Sequence, residues 1–406
     1  MKRIFFLIIG LCVGICGCTS TAPYRSCFAH VNLDCKAESV EEKNGIPIAY
    51  VELTDQGLFQ DRKQLTNALA LLQNLAGQEL NIVVFVHGWK HSAEVEDRDV
   101  EGFRNTILSA FVQSGRKDVK TVGIFVGWRG ASLALPSLVQ NITFYDRKST
   151  AEHVARGSVR ELFSYLQTIR SQAKSEKRKP IQLTLIGHSF GGLILYSAIA
   201  ESLLSSVAES TYINNGPRLA NPIADLVLLL NPAFEASRFE PLFQAAKSNP
   251  TDLQTKISQY SNNQRPIFIS ITSEADQATK VFFPLGRAVN SLFEHEGWTD
   301  QDDQTKIEYA DRLEKKANVH TIGHMNRYRT HVLQAVSDSN LKELGALRIV
   351  CTKAESFEFG NPNIFPLWNM YASADVINGH SDIYRQDLWQ YLTTFLDARP
   401  ILSLCK

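Results

Sequence analysis

Short runs of apolar residues alternate along this chain with longer stretches in which apolar residues recur at helical spacing. Apolar runs of four to eight residues are typical of buried strands, whereas a spacing of three or four is typical of helices. This alternation predicts an α/β protein whose mostly parallel sheet is covered by helices on both faces. The predicted strands lie at residues 47–53, 81–89, 121–128, 183–187, 225–231, 267–272 and 367–371, and the predicted helices at residues 60–75, 100–111, 151–173, 193–200, 239–246 and 387–396.

One predicted strand runs directly into the pattern Gly-x-Ser-x-Gly at residues 187–191, and a second apolar stretch begins at Leu193. Strand, sharp turn and helix form the context in which this pattern holds a nucleophilic serine at a strained turn. Gly187 and Gly191 leave room where the strand and helix backbones nearly touch. We therefore predict that Ser189 is a nucleophile, the alternative being a chance match in a turn.

The amino-acid composition limits the kinds of molecule that we expect this protein to bind. The chain has 406 residues, 44% hydrophobic and 21% charged, with a formal net charge of zero. These values are typical of a globular protein with a large core, and the absence of a basic run argues against nucleic acid as a partner. No glycine-rich phosphate loop occurs in the sequence, so nucleotide use is not expected.

The N-terminal segment has the pattern of an export signal. A basic start at residues 1–3 precedes an apolar stretch at residues 4–16, which is too short to span a bilayer comfortably. The following Cys16-Gly17-Cys18 resembles the lipobox of bacterial lipoproteins, which implies a signal peptide at residues 1–18 and a lipid on Cys18. Residues 19–43 would then be a tether in the cell envelope, facing the periplasm. Thr19, in place of the aspartate that retains lipoproteins at the inner membrane, favours the outer membrane; an ordinary cleaved signal peptide is the alternative.

Four cysteines remain outside the predicted signal and lipid site, an even number that suits an oxidising compartment. Three pairings can be drawn, and the simplest joins neighbours in the sequence. The spacing matches neither a zinc ribbon nor a redox pair, so we expect a structural role or none. These residues are Cys27, Cys35, Cys351 and Cys405.

A nucleophilic serine needs a histidine base held by a carboxylate. His380, in the loop after the last predicted strand, is the predicted base, since His188 is the direct neighbour of the serine and cannot reach its Oγ productively. Asp276, which follows the strand at residues 267–272, is the predicted acid. The reserve bases are His320, His324 and His331, and the rival acids are Glu235 and Glu274.

The tetrahedral intermediate also needs hydrogen-bond donors for its oxyanion. One predicted donor is the backbone N–H of Phe190, the residue after the serine. The second is the backbone N–H of Trp89, because His87-Gly88-Trp89 follows an earlier central strand and Gly88 lets the backbone turn in close.

With these motifs in place, the chain resembles the α/β-hydrolase superfamily. His87-Gly88-Trp89 is similar to the oxyanion motif of its esterases and lipases, and the order of Ser189, Asp276 and His380 is that of its triad. The resemblance implies a sheet of about eight strands over residues 44–406 and hydrolysis through an acyl-enzyme. Asp276 and His380 stand 104 residues apart, longer than the family's core needs, so we expect an inserted cap or lid around residues 277–350.

These observations predict a serine hydrolase that cleaves carboxylic esters, either small molecules or lipids, without a cofactor or metal. The alternative from another class is a binding protein of the cell envelope that keeps the fold and lacks activity. A zinc enzyme is a third candidate, because His87 and His91, and likewise His320 and His324, stand four residues apart. No His-Glu-x-x-His pattern occurs in the sequence, which argues against it.

Overall fold

A computed structural model describes residues 22–26, 37–115, 118–130, 137–210, 218–247, 260–290, 313–335, 347–351 and 364–394. The predicted signal peptide and the lipid site at Cys18 lie outside these residues. The side chains of all four cysteines considered for disulfides also lie outside the description, so the predicted pairings stay predictions.

The described residues form one sheet of ten strands, in the order β1-β2-β4-β3-β5-β6-β7-β10-β8-β9. Eight neighbouring strands, from β2 to β8, run parallel, while β1 and β9 pair antiparallel at the two edges. The strands are β1 (Val40–Lys43), β2 (Ile46–Glu52), β3 (Glu79–Val86), β4 (Val119–Gly127), β5 (Ile181–His188), β6 (Leu226–Leu230), β7 (Phe268–Ser273), β8 (His331–Ala335), β9 (Leu347–Cys351) and β10 (Leu367–Ala372).

Helices cover both faces because the central strands are apolar on both sides. In β3 every residue from Leu80 to Val86 is buried, so neither face tolerates water. One face packs on α1, α4, α5, α6 and α7, and the other on α2, α3 and α9. The helices are α1 (Arg62–Asn74), α2 (Arg98–Gly102), α3 (Leu108–Ser114), α4 (Ser137–Arg156), α5 (Val159–Ser175), α6 (Phe190–Glu209), α7 (Glu240–Lys247), α8 (Phe283–Asn290) and α9 (Gln386–Thr393), with π-helical turns at Phe103–Ile107 and Ala278–Phe282.

The parallel register brings the carboxyl ends of the strands to one edge of the sheet. Val86 of β3 is level with Gly187 of β5, and His188 is level with Leu230 of β6. Ala372 of β10 is level with Ser273 of β7. The loops that follow these strands therefore meet, and ligand sites of open α/β sheets form at this edge.

The predicted α/β class with a mostly parallel sheet is confirmed, and the arrangement is consistent with an α/β-hydrolase-like fold. The sheet is wider than the expected eight strands, because β8 and β9 extend it beyond β10. Both strands come from the stretch at residues 277–350 in which we expected a cap. Residues 291–312 and 336–346 of that stretch lie outside the described part, so the cap stays a prediction.

The segment expected to be a tether, residues 19–43, packs on the domain in its described parts. The backbone N–H of Arg25 donates to Glu52, and its buried guanidinium donates to the carbonyl of Ala93. Strand β1 pairs with β2 at the sheet edge. These contacts tie the described N-terminal residues to the sheet, since their polar groups take partners inside the domain.

One described helix, α6, is long and apolar enough to cross a membrane by length and composition. It lies directly behind Ser189, and its apolar side chains pack in the core between the sheet and the neighbouring helices. A helix that is buried in a protein core is also apolar on all sides, so burial accounts for the composition of α6.

Candidate active site

Ser189 occupies the turn between β5 and α6 in a strained backbone conformation, with φ 55° and ψ −121°. Its N–H donates to the carbonyl of Leu230, and its own carbonyl accepts hydrogen bonds from the N–H groups of Gly192, Leu193 and Ala233. A positive φ at a non-glycine residue persists only where the surroundings enforce it, and such strain is concentrated at functional sites. The four hydrogen bonds supply that enforcement here.

The glycines of the pattern are required by the closeness of the backbones. A Cβ added to Gly191 would lie 2.0 Å from the carbonyl oxygen of Val86 and 2.5 Å from that of His87. A Cβ added to Gly187 would lie 2.7 Å from the carbonyl oxygen of Gly191. Helix α6 therefore reaches the strand ends only because both residues lack a side chain.

The structure brings Ser189, His380 and Asp276 into one hydrogen-bonded series. The Nε2 atom of His380 is 2.7 Å from the Oγ atom of Ser189, and its Nδ1 atom is 2.9 Å from the Oδ2 atom of Asp276. Asp276 is fully buried and Ser189 is 4% exposed, whereas the side chain of His380 is 24% exposed. The imidazole of His380 thus links a buried carboxylate to the hydroxyl of Ser189 at the carboxyl end of β5.

Asp276 is held as an anion. Burial raises the pKa of this carboxyl, but hydrogen bonds and charge from His380, together with hydrogen bonds from Thr279, outweigh burial and lower the pKa below its usual value. The Thr279 N–H donates to Oδ1 at 3.2 Å, and its hydroxyl donates to Oδ2 at 2.5 Å. A buried carboxylate with these donors can orient an imidazole and stabilise its charged form.

Two side chains hold the backbone of His380. The Nε2 atom of His188 is 2.9 Å from the carbonyl oxygen of His380, and Nδ2 of Asn231 donates to the same oxygen at 2.8 Å. Burial, and then the neighbouring His380, lower the pKa of His188 to about 4, so its ring is neutral at pH 7. The ring proton lies on Nε2, because this nitrogen faces a carbonyl oxygen, which can only accept. Asn231 also accepts from the N–H of Ser273, which joins the loop of the base to β7.

The two residues predicted to supply the oxyanion donors belong to segments that adjoin the serine. Phe190 is the first residue of α6, and the ring of Trp89 is 6.3 Å from that of Phe190. A Cβ added to Gly88 would lie 3.1 Å from the Cβ of Ser189, which shows how closely this loop approaches. The N–H of Gly88 in turn donates to the buried carboxylate of Asp99 at 3.3 Å.

The rival acids are engaged elsewhere. Glu235 is buried in a cluster of cations, where its carboxylate accepts from Lys148 at 2.7 Å and from Arg238 at 2.8 Å and pairs with Arg287 at 3.0 Å. Burial raises the pKa of Glu235, but these three charges outweigh it and lower the pKa. Glu274 accepts from the N–H of Ala374 in an exposed position.

The reserve bases do not contact Ser189. His331 is buried against Trp368, with ring centroids 4.1 Å apart, and its Nδ1 contacts the hydroxyl of Thr330. His320 contacts the carbonyl of Lys316 in its own helical segment. The Nε2 atom of His324 is 3.0 Å from the hydroxyl oxygen of Thr279, so His324 is connected to the predicted acid, Asp276, through Thr279.

The two histidine pairs considered for zinc do not converge. In the first pair, Nε2 of His87 accepts from the N–H of Trp128 and Nδ1 contacts the carbonyl of Gly88, whereas His91 faces Asp97 and Asp99. In the second pair, His320 and His324 have the separate partners described above.

Among the described residues, one group of side chains has the spacing for a metal ion, namely His91, Asp97 and Asp99. The two ring nitrogens of His91 face different carboxylates, Asp97 at 3.0 Å and Asp99 at 3.4 Å. Burial lowers the pKa of His91, but the two aspartates outweigh burial and raise it. Asp97 also accepts from the N–H groups of Ser92 and Asp99, which caps α2. The arrangement is that of an imidazole between two carboxylates beside the Gly88 loop.

Comparison with known proteins gives only weak similarity. No family model and no curated protein matches the chain. An uncharacterized protein from Pseudomonas aeruginosa is 11% identical at a TM-score of 0.29, covering 84% of this chain and 48% of that one. Phospholipase PlaB from Legionella pneumophila is 15% identical at a TM-score of 0.25, covering 68% of this chain and 50% of that one, and its complex with thio-NAD scores 0.23. The chain spans about half the length of these structures, and TM-scores this low carry no argument about function.

Sequence reasoning did not identify three side chains that complete the site. Asn231 directly follows β6, so its position at a strand end was a usable signal. Thr279 lies three residues beyond the predicted acid, a spacing at which a helical turn brings a hydroxyl back onto a carboxylate. In the sequence His324 is a reserve base and a candidate zinc ligand, because nothing there connects it with Asp276.

Proposed function

We propose that this protein is a serine hydrolase that cleaves carboxylic esters through an acyl-enzyme on Ser189. The observation that carries the proposal is the uninterrupted series from the Oγ of Ser189 through the imidazole of His380 to the carboxylate of Asp276, with distances of 2.7 and 2.9 Å. The strained turn that presents the serine supports the same proposal.

In the proposed reaction, Nε2 of His380 takes the proton of the Ser189 hydroxyl as its oxygen attacks the ester carbonyl. Asp276 accepts from Nδ1 and stabilises the imidazolium. The N–H groups of Phe190 and Trp89 are assigned to the oxyanion of the tetrahedral intermediate. Its collapse expels the alcohol, which receives the proton from His380, and a water molecule then repeats the sequence to release the acid.

The substrate class and the location of the protein belong to the same proposal. Phe190 follows Ser189 in the chain and the ring of Trp89 lies 6.3 Å from that of Phe190, and these two apolar residues favour an acyl group of small-molecule or lipid esters as the substrate. A lipid on Cys18 would place the enzyme on the periplasmic side of the envelope, at the outer membrane, close to such substrates.

The test uses the purified full chain with a fluorophosphonate probe and a chain-length series of p-nitrophenyl esters. We expect Ser189→Ala to abolish labelling, and Ser189→Ala and His380→Ala each to lower kcat by roughly 10³-fold or more. Ser202→Ala, an exposed serine on the same helix, is the matched control and keeps both signals. A folded wild-type protein that neither labels nor hydrolyses any ester would favour the envelope binding protein instead.

A further inference from the structure

A second hydrogen-bonded series reaches Asp276 through the hydroxyl of Thr279. The hydroxyl of Thr279 is 2.5 Å from Oδ2 of Asp276 and 3.0 Å from Nε2 of His324. Thr279 is 1% exposed and Asp276 is fully buried, so water does not compete for the bond between these two side chains. The oxygen that accepts from Thr279 is the same Oδ2 that faces His380.

The chemistry of the groups fixes the direction of both bonds. A carboxylate only accepts, so the single hydroxyl proton of Thr279 goes to Asp276. The hydroxyl oxygen then accepts from His324, whose proton must lie on Nε2. Burial, which outweighs the neighbouring charge of Asp276, lowers the pKa of His324 to about 4, and this ring is therefore neutral at pH 7. The other titratable groups that face it are Lys280, His320 and Arg329.

His324 is fixed to the sheet although it belongs to the stretch between β7 and β10. The carbonyl of Ile322 accepts from the side chain of Asn369 on β10 at 2.9 Å. Gly323 lies against β7 so closely that an added Cβ would be 1.9 Å from the hydroxyl of Thr272. The ring of His324 meets the edge of Tyr371, with centroids 6.3 Å apart. The turn can therefore hold the imidazole in one position.

We propose that Thr279 and His324 are positioning residues that orient Asp276 and draw part of its charge away from His380. The inserted stretch then contributes to the reaction itself and does not only extend the sheet. This inference rests on the proposed function, because it assigns a role relative to the proposed acid and base. The inference adds Thr279 and His324 to the proposed triad as residues that act through Asp276.

The proposal predicts a rate effect and a pH effect together. Thr279→Val keeps the shape of the side chain and removes the bond to Oδ2, so Asp276 is less well oriented and pulls more strongly on the proton of His380. We expect kcat/KM for p-nitrophenyl butyrate to fall about tenfold, since hydrogen bonds to charged groups have this magnitude. We also expect the acidic limb of the kcat/KM profile to move to higher pH. His324→Phe shifts both in the same direction by less.

Conservative variants separate positioning from packing. Thr279→Ser keeps the hydroxyl and His324→Gln keeps a donor, so both are expected to stay within about twofold of wild type with an unmoved acidic limb. His153→Phe, which makes the same change at an exposed histidine on α4, is the matched control. If Thr279→Val lowers thermal stability, the comparison of His324→Phe with His324→Gln decides.

Two results would overturn the proposal. One is wild-type rate and pH profile in both Thr279→Val and His324→Phe. The other is a rate loss in these variants with no movement of the acidic limb, which is the mark of packing alone. Failure of the proposed function is distinguishable, since wild type itself would then show no labelling by the fluorophosphonate probe.

Discussion

At the scale of single residues, the proposed base, His380, is positioned through its backbone as well as its ring. The carbonyl oxygen of His380 accepts from both His188 and Asn231. Asn231 has a φ of 44°, a conformation that asparagine tolerates better than most residues. One side chain therefore turns the chain after β6 and holds the loop that carries the imidazole.

This arrangement predicts the effect of Asn231→Asp, which keeps the shape and the turn but replaces the donor by an acceptor. The carboxylate would face the carbonyls of Gly379 and His380, so the loop is pushed away and kcat falls about tenfold or more. Steady-state kinetics on the p-nitrophenyl esters measure the change. Asn378→Asp adds the same charge to an exposed position in the same loop and is expected to leave kcat unchanged. Equal rates for the two variants would contradict the assigned role.

Whether a site residue can be predicted from the sequence depends on whether its position follows from a strand or only from a tertiary contact. Ser189, Asp276 and His380 could be selected because each follows a predicted strand, and parallel strands end at one edge. Thr279 and His324 could not be connected, since their bond joins residues 45 apart in a stretch without a clear pattern. Side-chain hydrogen bonds between loops are set by tertiary packing, which hydrophobic periodicity does not encode.

At the scale of elements, the contact between α6 and β3 depends on the absence of a side chain at one position. Gly191→Ala would place a methyl group 2.0 Å from the carbonyl oxygen of Val86, and backbone on both sides prevents relaxation. We expect a loss of more than about 3 kcal/mol in the free energy of unfolding. Gly192→Ala, whose added Cβ would lie 3.1 Å from the Cβ of Pro232, is the neighbouring control and should cost clearly less. Urea unfolding compares the two, and equal losses would argue against this packing account.

The elements that sequence patterns predicted are those buried on both faces. Strand β3 is a continuous apolar run, and its identity follows from that run alone. Strand β1 reads Val-Glu-Glu-Lys and is partly exposed, so its sequence looks like a loop. Strand β8 is likewise buried at only part of its length. Strand β1 is at one edge of the sheet and β8 is next to the opposite edge strand, β9, so both lie away from the centre, where a strand needs less apolar surface.

At the scale of the whole molecule, buried neutral histidines make the fold sensitive to acid. Burial lowers the pKa of His324 to about 4 and that of His331 to about 3, and burial together with His380 lowers that of His188 to about 4. Unfolded histidines titrate near 6.5, so between pH 6.5 and 4 the unfolded chain binds protons that the native one does not. Each group then removes roughly 1.4 kcal/mol of stability per pH unit as the pH falls.

The carboxylates and His91 modify this dependence in opposite directions. The lowered pKa values of Asp276 and Asp97 also give stability that is lost on acidification, below their unfolded values. The raised pKa of His91 gives stability that is complete below about pH 6.5 and is lost as the pH rises through its folded value.

The midpoint of urea unfolding, measured at pH 7, 5.5 and 4.5, is expected to fall steeply as the pH is lowered. In His331→Phe it is expected to fall less steeply. An unchanged slope in that variant, matching the exposed control His153→Gln, would contradict the prediction.

The distance along the chain between the proposed nucleophile and the proposed base has a consequence for biosynthesis. The serine turn needs only β3, β5 and β6, which are made early, whereas His380 follows Ser189 by 191 residues. A contact of that sequence separation forms late, because a long loop must close first. A nascent chain of the proposed hydrolase therefore carries a shaped serine turn without its proposed base, and the proposed reaction has to wait until most of the sheet has assembled.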